Sequence, residues 1–268
     1  PNRQRPYSYN ENYAQKIDEE ITRLEDAGFI YEIEHTVWVS PLVVVPKKNG
    51  KLRVCINLKK VNAATIRDHY PLPITDHVLE RVAGKEAYSF LDGFSGYNQV
   101  SIDPRDQHKT EFATHRGTFA YRVMPFGLTN ALATFNRLMD RIFRKHSHYT
   151  GVFFDDIIVY SKTLEEHKEH LRLVFEELRA HKLYVNAKKS KFFLREIRYL
   201  GHIISKDGIS MDLKKLRAIE EWPMLNNIHE VQSFIGMCSY YHRFIAKFTV
   251  IAGPLHDLTR KRLSFNGL

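Results

Sequence analysis

Two cysteines, Cys55 and Cys238, are all that the 268 residues contain. They lie far apart and flank no ligand spacing. This excludes a disulfide framework and a cysteine-based metal site, and it fits a reducing compartment. No apolar run approaches the length of a membrane span, so no membrane partner is expected. The start of the chain carries no signal-peptide pattern, and its first residue, Pro1, reads as the edge of a piece of a longer polypeptide. Internal repeats and low-complexity tracts are missing too, which excludes solenoids and linker-like segments. Acidic residues are in short supply: 31 Asp plus Glu face 40 Lys plus Arg, for a pI of about 9.4. That imbalance points to a polyanionic partner, nucleic acid before acidic membrane. A merely basic soluble protein is the other reading of charge alone.

What is present is ample apolar content, 43% of residues, enough for a real core. Ile17, Ile21 and Leu24 recur at helical spacing, and Gly28 follows as a C-terminal cap. WVSPLVVVPKKNGKLRVCIN reads as a hairpin turning at Asn49-Gly50, with Lys47, Lys48 and Lys51 at its tip and Arg53 on the return strand. PLPITDHVLERVAG is a short helix, capped by Thr75 or Asp76 and closed by Gly84. A strand breaks at Asp92-Gly93, a second hairpin turns at Arg116-Gly117, and Asn130 to Phe143 is an amphipathic helix. Thr163-Leu164-Glu165-Glu166 is a capping box opening a helix whose apolar face is Leu164, Leu171, Phe175 and Leu178. Lys188, Lys189 and Lys191 precede a hairpin in IRYLGHIIS. Helices follow at 212–222, about 228–245, and near Leu255. Strands early and helices late suggest an α+β body with an appended helical lobe.

One stretch stands against its surroundings. GVFFDDIIVYS sets the adjacent pair Asp155 and Asp156 in the middle of an apolar and aromatic run, although unpaired carboxylates are costly in apolar surroundings. In a straight strand the two side chains would face opposite ways. At a tight turn both can approach one region. Asp92, at the end of YSFL, adds a third carboxylate at a strand end. An oxygen-only set of this kind suits Mg²⁺, which polymerases and nucleases hold with a few carboxylates plus substrate phosphates. Two ions would activate a 3′-hydroxyl and stabilise leaving pyrophosphate, and their charge would offset repulsion between the aspartates. An ordinary aspartate-rich turn is the competing reading of the pair alone.

From about Asp18 to about Lys261 the sequence resembles the reverse transcriptase of gypsy-type (Metaviridae) LTR retrotransposons. The resemblance rests on ordered blocks: SPLVVVPKKNGKLRVCINLKKVN, DHYPLPITDHVLERVAGKEAYSFLDGFSGYNQVSI, KTEFATHRGTFAYRVMPFGLTNALATFNRLM, FFDDIIVYSKTLEEHKEHLRLVFEEL, RYLGHIIS and VQSFIGMCSYYHRFIAKF. It implies an α+β right-hand polymerase fold of fingers, palm and helical thumb. The expected divisions are an extension at 1–16, fingers at 17–84 with the hairpin 42–56, palm at 85–110, and a fingers/palm return at 111–130. Palm with primer grip then spans 131–204, thumb 205–262, and a truncated connection begins at 263–268. It further implies an RNA-directed DNA polymerase that extends a primer 3′-end with dNTPs on RNA or DNA, using two Mg²⁺ ions or substitute Mn²⁺. No RNase H set of His, Asp and Glu remains in this chain. RNase H and integrase would be neighbours in the parent polyprotein, and members of the family act inside cytoplasmic virus-like particles, some as dimers.

By the same resemblance the catalytic and metal-binding residues are Asp92, Asp155 and Asp156, with the Gly93 or Phe94 backbone adding a carbonyl. Lys47, Lys48 and Arg53 would grip the β- and γ-phosphates, a task that suits a bidentate Arg. Ser95 and Gly96 would lend backbone N–H groups to the triphosphate. Tyr97 would stack on the incoming sugar and block a 2′-hydroxyl, and Phe126 and Gly127 would lie under the templating pair. Tyr199, Leu200, Gly201 and His202 match the primer grip. Gln232, Gly236 and Tyr240 match the helix face that follows the duplex minor groove, and Phe153 matches a position beside the primer. The departures from the family pattern are Phe153 for Tyr, Asn57 for Asp and Leu132 for Pro. A decayed or domesticated copy that binds nucleic acid without catalysis, and an RNA-templated RNA polymerase on the same palm, stay open on the residues.

Overall fold

The computed structural model describes residues 2–4, 11–34, 37–46, 52–71, 73–93, 96–154 and 156–259. Lys47, Lys48, Ser95 and Asp155 lie outside the described residues, as does the Arg53 side chain. Two compact units make up the chain: Pro1–Ile74 with Ser89–Phe193, and Thr75–Tyr88 with Leu194–Leu268.

In the first unit a six-stranded sheet runs in the order Asn2–Arg3, Trp38–Pro46, Phe112–Thr114, Gly117–Tyr121, Ile30–Glu32, with Leu52–Ile56 also paired to Trp38–Pro46. The helix Glu11–Asp26 buries Ile17, Ile21 and Leu24 together with Ile30, Leu42, Phe112 and Phe119. Each such side chain contributes roughly 1.5–3 kcal/mol when fully buried. Gly28, at φ 69°, ends the helix as expected, with its N–H on the Glu25 carbonyl. The second hairpin turns one residue earlier than expected, because Thr114 pairs with Gly117 and leaves His115 and Arg116 at the tip.

A four-stranded sheet carries the rest of this unit, in the order Lys191–Leu194, Ala87–Asp92, Asp156–Ser161, Thr150–Phe153. The helices Ala131–Phe143 and Leu164–Ala180 supply Phe135, Met139, Ile142, Leu171, Val174 and Leu178 to one core with Leu91, Ile157 and Val159. Thr163 caps the second helix through the Glu166 N–H, as the capping box requires. Its buried face departs from expectation. Phe175 is exposed, and His167 takes an inward position in its place.

His167 is fully buried. Its Nε2 bonds the Ser89 hydroxyl at 2.7 Å and its Nδ1 the Ser161 hydroxyl at 2.8 Å, and Ser161 also meets His170 Nδ1 at 2.7 Å. Burial first, and the neighbouring His170 second, push the His167 imidazole down to about 4. A histidine depressed in the folded state is neutral there while the unfolded chain still takes up the proton. The stability it brings is therefore present above about pH 6.5 and lost as pH falls toward 4. The full shift is worth about 3 kcal/mol. Denaturant titrations at stepped pH should show wild type losing stability over this window faster than His167→Gln. Parallel pH curves for the two proteins would refute the assignment.

In the second unit Glu196–Tyr199, His202–Ser205 and Gly208–Met211 form an antiparallel meander. Its helices are Thr75–Val82, Leu213–Glu220, Ile228–Tyr240 and Phe248–Leu258. Thr75 is already helical, so neither Thr75 nor Asp76 is the cap that the sequence suggested. Gly84, at φ 71°, follows Thr75–Val82 and donates to the Ser205 carbonyl at 3.1 Å. The helix expected over 228–245 stops at Tyr240 and gives way to a 3₁₀ turn at His242–Phe244. Asn227 caps it through the Glu230 N–H, while Glu230 reaches back to the Asn226 N–H. That reciprocal pair satisfies two donors that a helix start leaves open.

Candidate active site

Asp92 is the last residue of its strand, and Asp156 is the first residue of the strand beside it. The backbone of Asp92 is held on both sides. Its N–H donates to Ser190 Oγ at 3.2 Å, and its carbonyl accepts from the Asn186 N–H at 2.8 Å. Gly93 then bridges to Val185. Lys189 lies in the same segment, its Nζ 3.4 Å from the Asp92 carboxylate and its side chain mostly exposed. An exposed pair of this kind is worth about 1 kcal/mol or less, so another cation can replace the ammonium at little cost.

The aspartate hairpin is tight. Its ladder runs Thr150 to Val159, Gly151 to Ile158, Val152 to Ile157, and closes with Phe153 opposite Asp156. Ile157, Ile158 and Val159 are buried and tie the return strand into the sheet. Phe154, next in chain to Asp155, sits at φ 58°, a region that bulky residues rarely occupy. Left-handed backbone in a non-glycine residue costs roughly 1–2 kcal/mol and concentrates at functional sites. The Phe153 and Phe154 rings meet edge to face at 4.4 Å. The missing phenolic hydroxyl at Phe153 therefore leaves an aromatic contact in place.

Tyr97 lies in the 3₁₀ turn Gly96–Gln99. Its ring meets Phe126 at 5.2 Å and Phe135 at 5.4 Å, both edge to face. Phe135 is core and Phe126 is half exposed, so Tyr97 stands between packed interior and open surface. Gln99 fixes the turn through two hydrogen bonds to the Tyr184 backbone, donating at 3.0 Å and accepting at 2.6 Å. Asn62 does the same for the Phe126-Gly127 segment, donating to the Gly127 carbonyl at 2.7 Å and accepting from the Thr129 N–H at 2.8 Å. Sequence reasoning did not single out Gln99, Asn62, Asn186 or Ser190, and it read Lys189 only as one of three lysines before a hairpin. A side-chain amide satisfying both groups of a distant backbone leaves no periodic signature. Of the departures, Asn57 accepts from the Lys59 N–H at 3.2 Å, and Leu132 fits the first turn of Ala131–Phe143.

Residues 45–204, more than half of the chain, match the family model for reverse transcriptase (RNA-dependent DNA polymerase). The chain belongs to the reverse transcriptase family. It is 37% identical over 260 residues to the retrovirus-related Pol polyprotein from transposon opus of Drosophila melanogaster, covering 95% of this chain and 26% of that protein. Against the Pol polyprotein from transposon gypsy of the same fly it is 34% identical over 251 residues, 91% of this chain and 24% of that one. This reverse transcriptase chain thus spans about a quarter of the length of these relatives. Among solved structures it resembles the foamy viral protease-reverse transcriptase. With double-stranded DNA that protein gives a TM-score of 0.86 at 24% identity, covering 95% of this chain and 45% of that one. With an RNA/DNA hybrid the TM-score is 0.81 at 23% identity, with coverage of 97% and 35%. The fold is accordingly the right-hand polymerase fold expected from the motifs.

In the second unit the chain presents Gln232, Gly236 and Tyr240 as exposed residues of Ile228–Tyr240. The two ends of the YLGH stretch turn inward instead, with Tyr199 and His202 both buried. What this hairpin offers outward is its Leu200-Gly201 turn. Among the described residues no group of three or more His, Cys, Asp or Glu is placed to hold a metal ion.

Proposed function

We propose that this chain is the fingers, palm and thumb polymerase unit of a retroelement Pol polyprotein, and that it extends a primer 3′-end with dNTPs on RNA or DNA. The observation that carries the reading is Asp92 and Asp156 at the ends of neighbouring strands, Asp156 lying two residues after a strained Phe154. Family membership and the likeness to a polymerase solved with nucleic acid support it.

The donors fit a hard divalent cation. They are oxygens only, and a replaceable ammonium already lies against Asp92. Asp92, Asp155 and Asp156, with the Gly93 carbonyl, would hold two Mg²⁺ ions, or Mn²⁺ in their place. When bound, these would lower the pKa of the primer 3′-hydroxyl and stabilise the leaving pyrophosphate. The chain's own residues do the positioning. Asn186 and Ser190 keep Asp92 in register, Gln99 holds Tyr97 where the sugar would lie, and Asn62 holds the floor at Phe126-Gly127. Lys47, Lys48 and Arg53 would grip the triphosphate, with Ser95 and Gly96 adding backbone donors. We place the fingers at 17–84, the palm at 85–110 and 131–204 with a fingers/palm return at 111–130 between, and the thumb at 205–262. RNase H and integrase would flank this unit in its polyprotein, and cytoplasmic particles, with or without dimerisation, would be its setting.

Affinity for duplex should come mainly from phosphate contacts and fall steeply with salt. The deciding experiment is primer extension on an RNA template with dNTPs or rNTPs. Mg²⁺-dependent extension with dNTPs is expected. Duplex binding without extension would make the chain a nucleic-acid binder only, and extension restricted to rNTPs would make it an RNA polymerase.

A further inference from the structure

The Leu200-Gly201 turn is unusually well secured for an exposed two-residue loop. Tyr199 pairs with His202, and both central residues are left-handed, Leu200 at φ 48° and Gly201 at φ 67°. This is the paired conformation that tight hairpins favour, but a leucine in the first position opposes it. Three donors converge on its two carbonyls. Tyr240 OH donates to the Leu200 carbonyl at 2.6 Å, Tyr241 OH to the Gly201 carbonyl at 2.9 Å, and His202 Nδ1 to the Leu200 carbonyl at 2.6 Å.

The approach is close enough to favour a residue without a Cβ. A Cβ at Gly201 would lie 3.2 Å from Tyr240 Cε1 and 3.2 Å from the Tyr241 hydroxyl, so a side chain here would press both rings as well as strain φ. A carbonyl can only accept, which puts the His202 proton on Nδ1. Its ring is packed among Tyr240, Tyr241 and Phe244 at 5.3, 5.3 and 5.8 Å. Burial raises both phenols above their ordinary range, so they stay protonated donors at any physiological pH. Both tyrosines come from the end of the helix Ile228–Tyr240 or directly after it, and that helix also bears exposed Gln232 and Gly236.

We propose that Tyr240 and Tyr241 are positioning residues that clamp the Leu200-Gly201 turn to the end of the helix Ile228–Tyr240, so that duplex held on the helix face fixes where the primer terminus lies. This rests on the reading of the turn as a primer grip. Tyr240 then does more than lie against the minor groove. Its ring edge faces solvent while its hydroxyl holds the turn.

The test removes hydroxyls and keeps rings, with Tyr240→Phe, Tyr241→Phe and the double variant. One readout is independent of catalysis: backbone hydrogen exchange of residues 199–203 in the free protein, expected to rise about tenfold in the double variant, as loss of roughly 1.4 kcal/mol implies. The second is single-turnover extension of pre-bound primer with a trap present, expected to slow about tenfold while duplex Kd stays within about twofold. Unchanged exchange would overturn the clamp. Faster exchange with unchanged extension would overturn its positioning role, and a Kd that weakens in step with extension would make the tyrosines binding residues instead. If wild type extends no primer, the primer-grip reading falls, and the exchange experiment still decides whether the clamp exists.

Discussion

Asp92→Asn, and separately Asp155→Asn, is expected to lower Mg²⁺-dependent primer extension by on the order of a thousandfold, with duplex binding unchanged. The expectation follows from how Asp92 is held. Ser190 and Asn186 bond its backbone, which an amide side chain leaves untouched. Only the carboxylate charge is lost. Its visible partner is the exposed Lys189 ammonium at 3.4 Å, and removing such a pair shifts folding stability by about 1 kcal/mol at most. The substitution therefore separates chemistry from architecture. Thermal unfolding should stay near that of wild type, and filter binding or anisotropy should return the same duplex Kd. A variant that unfolds early or loses duplex affinity would show the aspartate to be structural and would remove the metal-site reading.

Tyr97→Ala should admit ribonucleotides. The ring stands between Phe135 in the core and Phe126 at the surface, and Gln99 ties its turn to Tyr184. A group so wedged cannot swing aside for one extra hydroxyl on the sugar. Taking the ring away opens that space, and discrimination between dNTP and rNTP, measured as the ratio of kcat/KM values, should fall roughly a hundredfold. Loss of two aromatic contacts and a partly filled cavity should also cost about 2 kcal/mol of stability. Tyr97→Phe keeps both ring contacts and should keep discrimination. If the Ala variant discriminates as wild type does, Tyr97 is a core residue and the sugar gate lies elsewhere.

Much of this was readable in the residues, for identifiable reasons. Helix starts announced themselves where a short polar side chain can reach an open N–H, as at Thr163. The aspartate hairpin was legible because two carboxylates in an apolar run are too expensive to be incidental. The strand Lys191–Leu194 was missed because it lies at a sheet edge with most residues exposed, so its sequence, KFFL, shows no apolar-polar alternation. His167 was missed because helical periodicity counts apolar residues, whereas Ser89 and Ser161 make a histidine acceptable inside. The same limit hid Gln99 and Asn62, whose partners are distant backbone groups. Tyr240 was legible as part of a helix face, but its hydroxyl's destination was not.

The second unit is assembled from two stretches of chain, Thr75–Tyr88 and Leu194–Leu268, with Ser89–Phe193 made in between. On a ribosome adding about 5–20 residues per second, roughly a hundred residues of delay amount to between about 5 and 20 seconds. During that interval the helix Thr75–Val82 has emerged, but most of its unit has yet to be synthesised. Val78, Leu79 and Val82, buried in the finished protein, wait in water or in the grip of a chaperone. A message truncated before codon 194 would leave them waiting permanently. Such a nascent product should be retained by hydrophobic-binding chaperones, while the full-length chain is released.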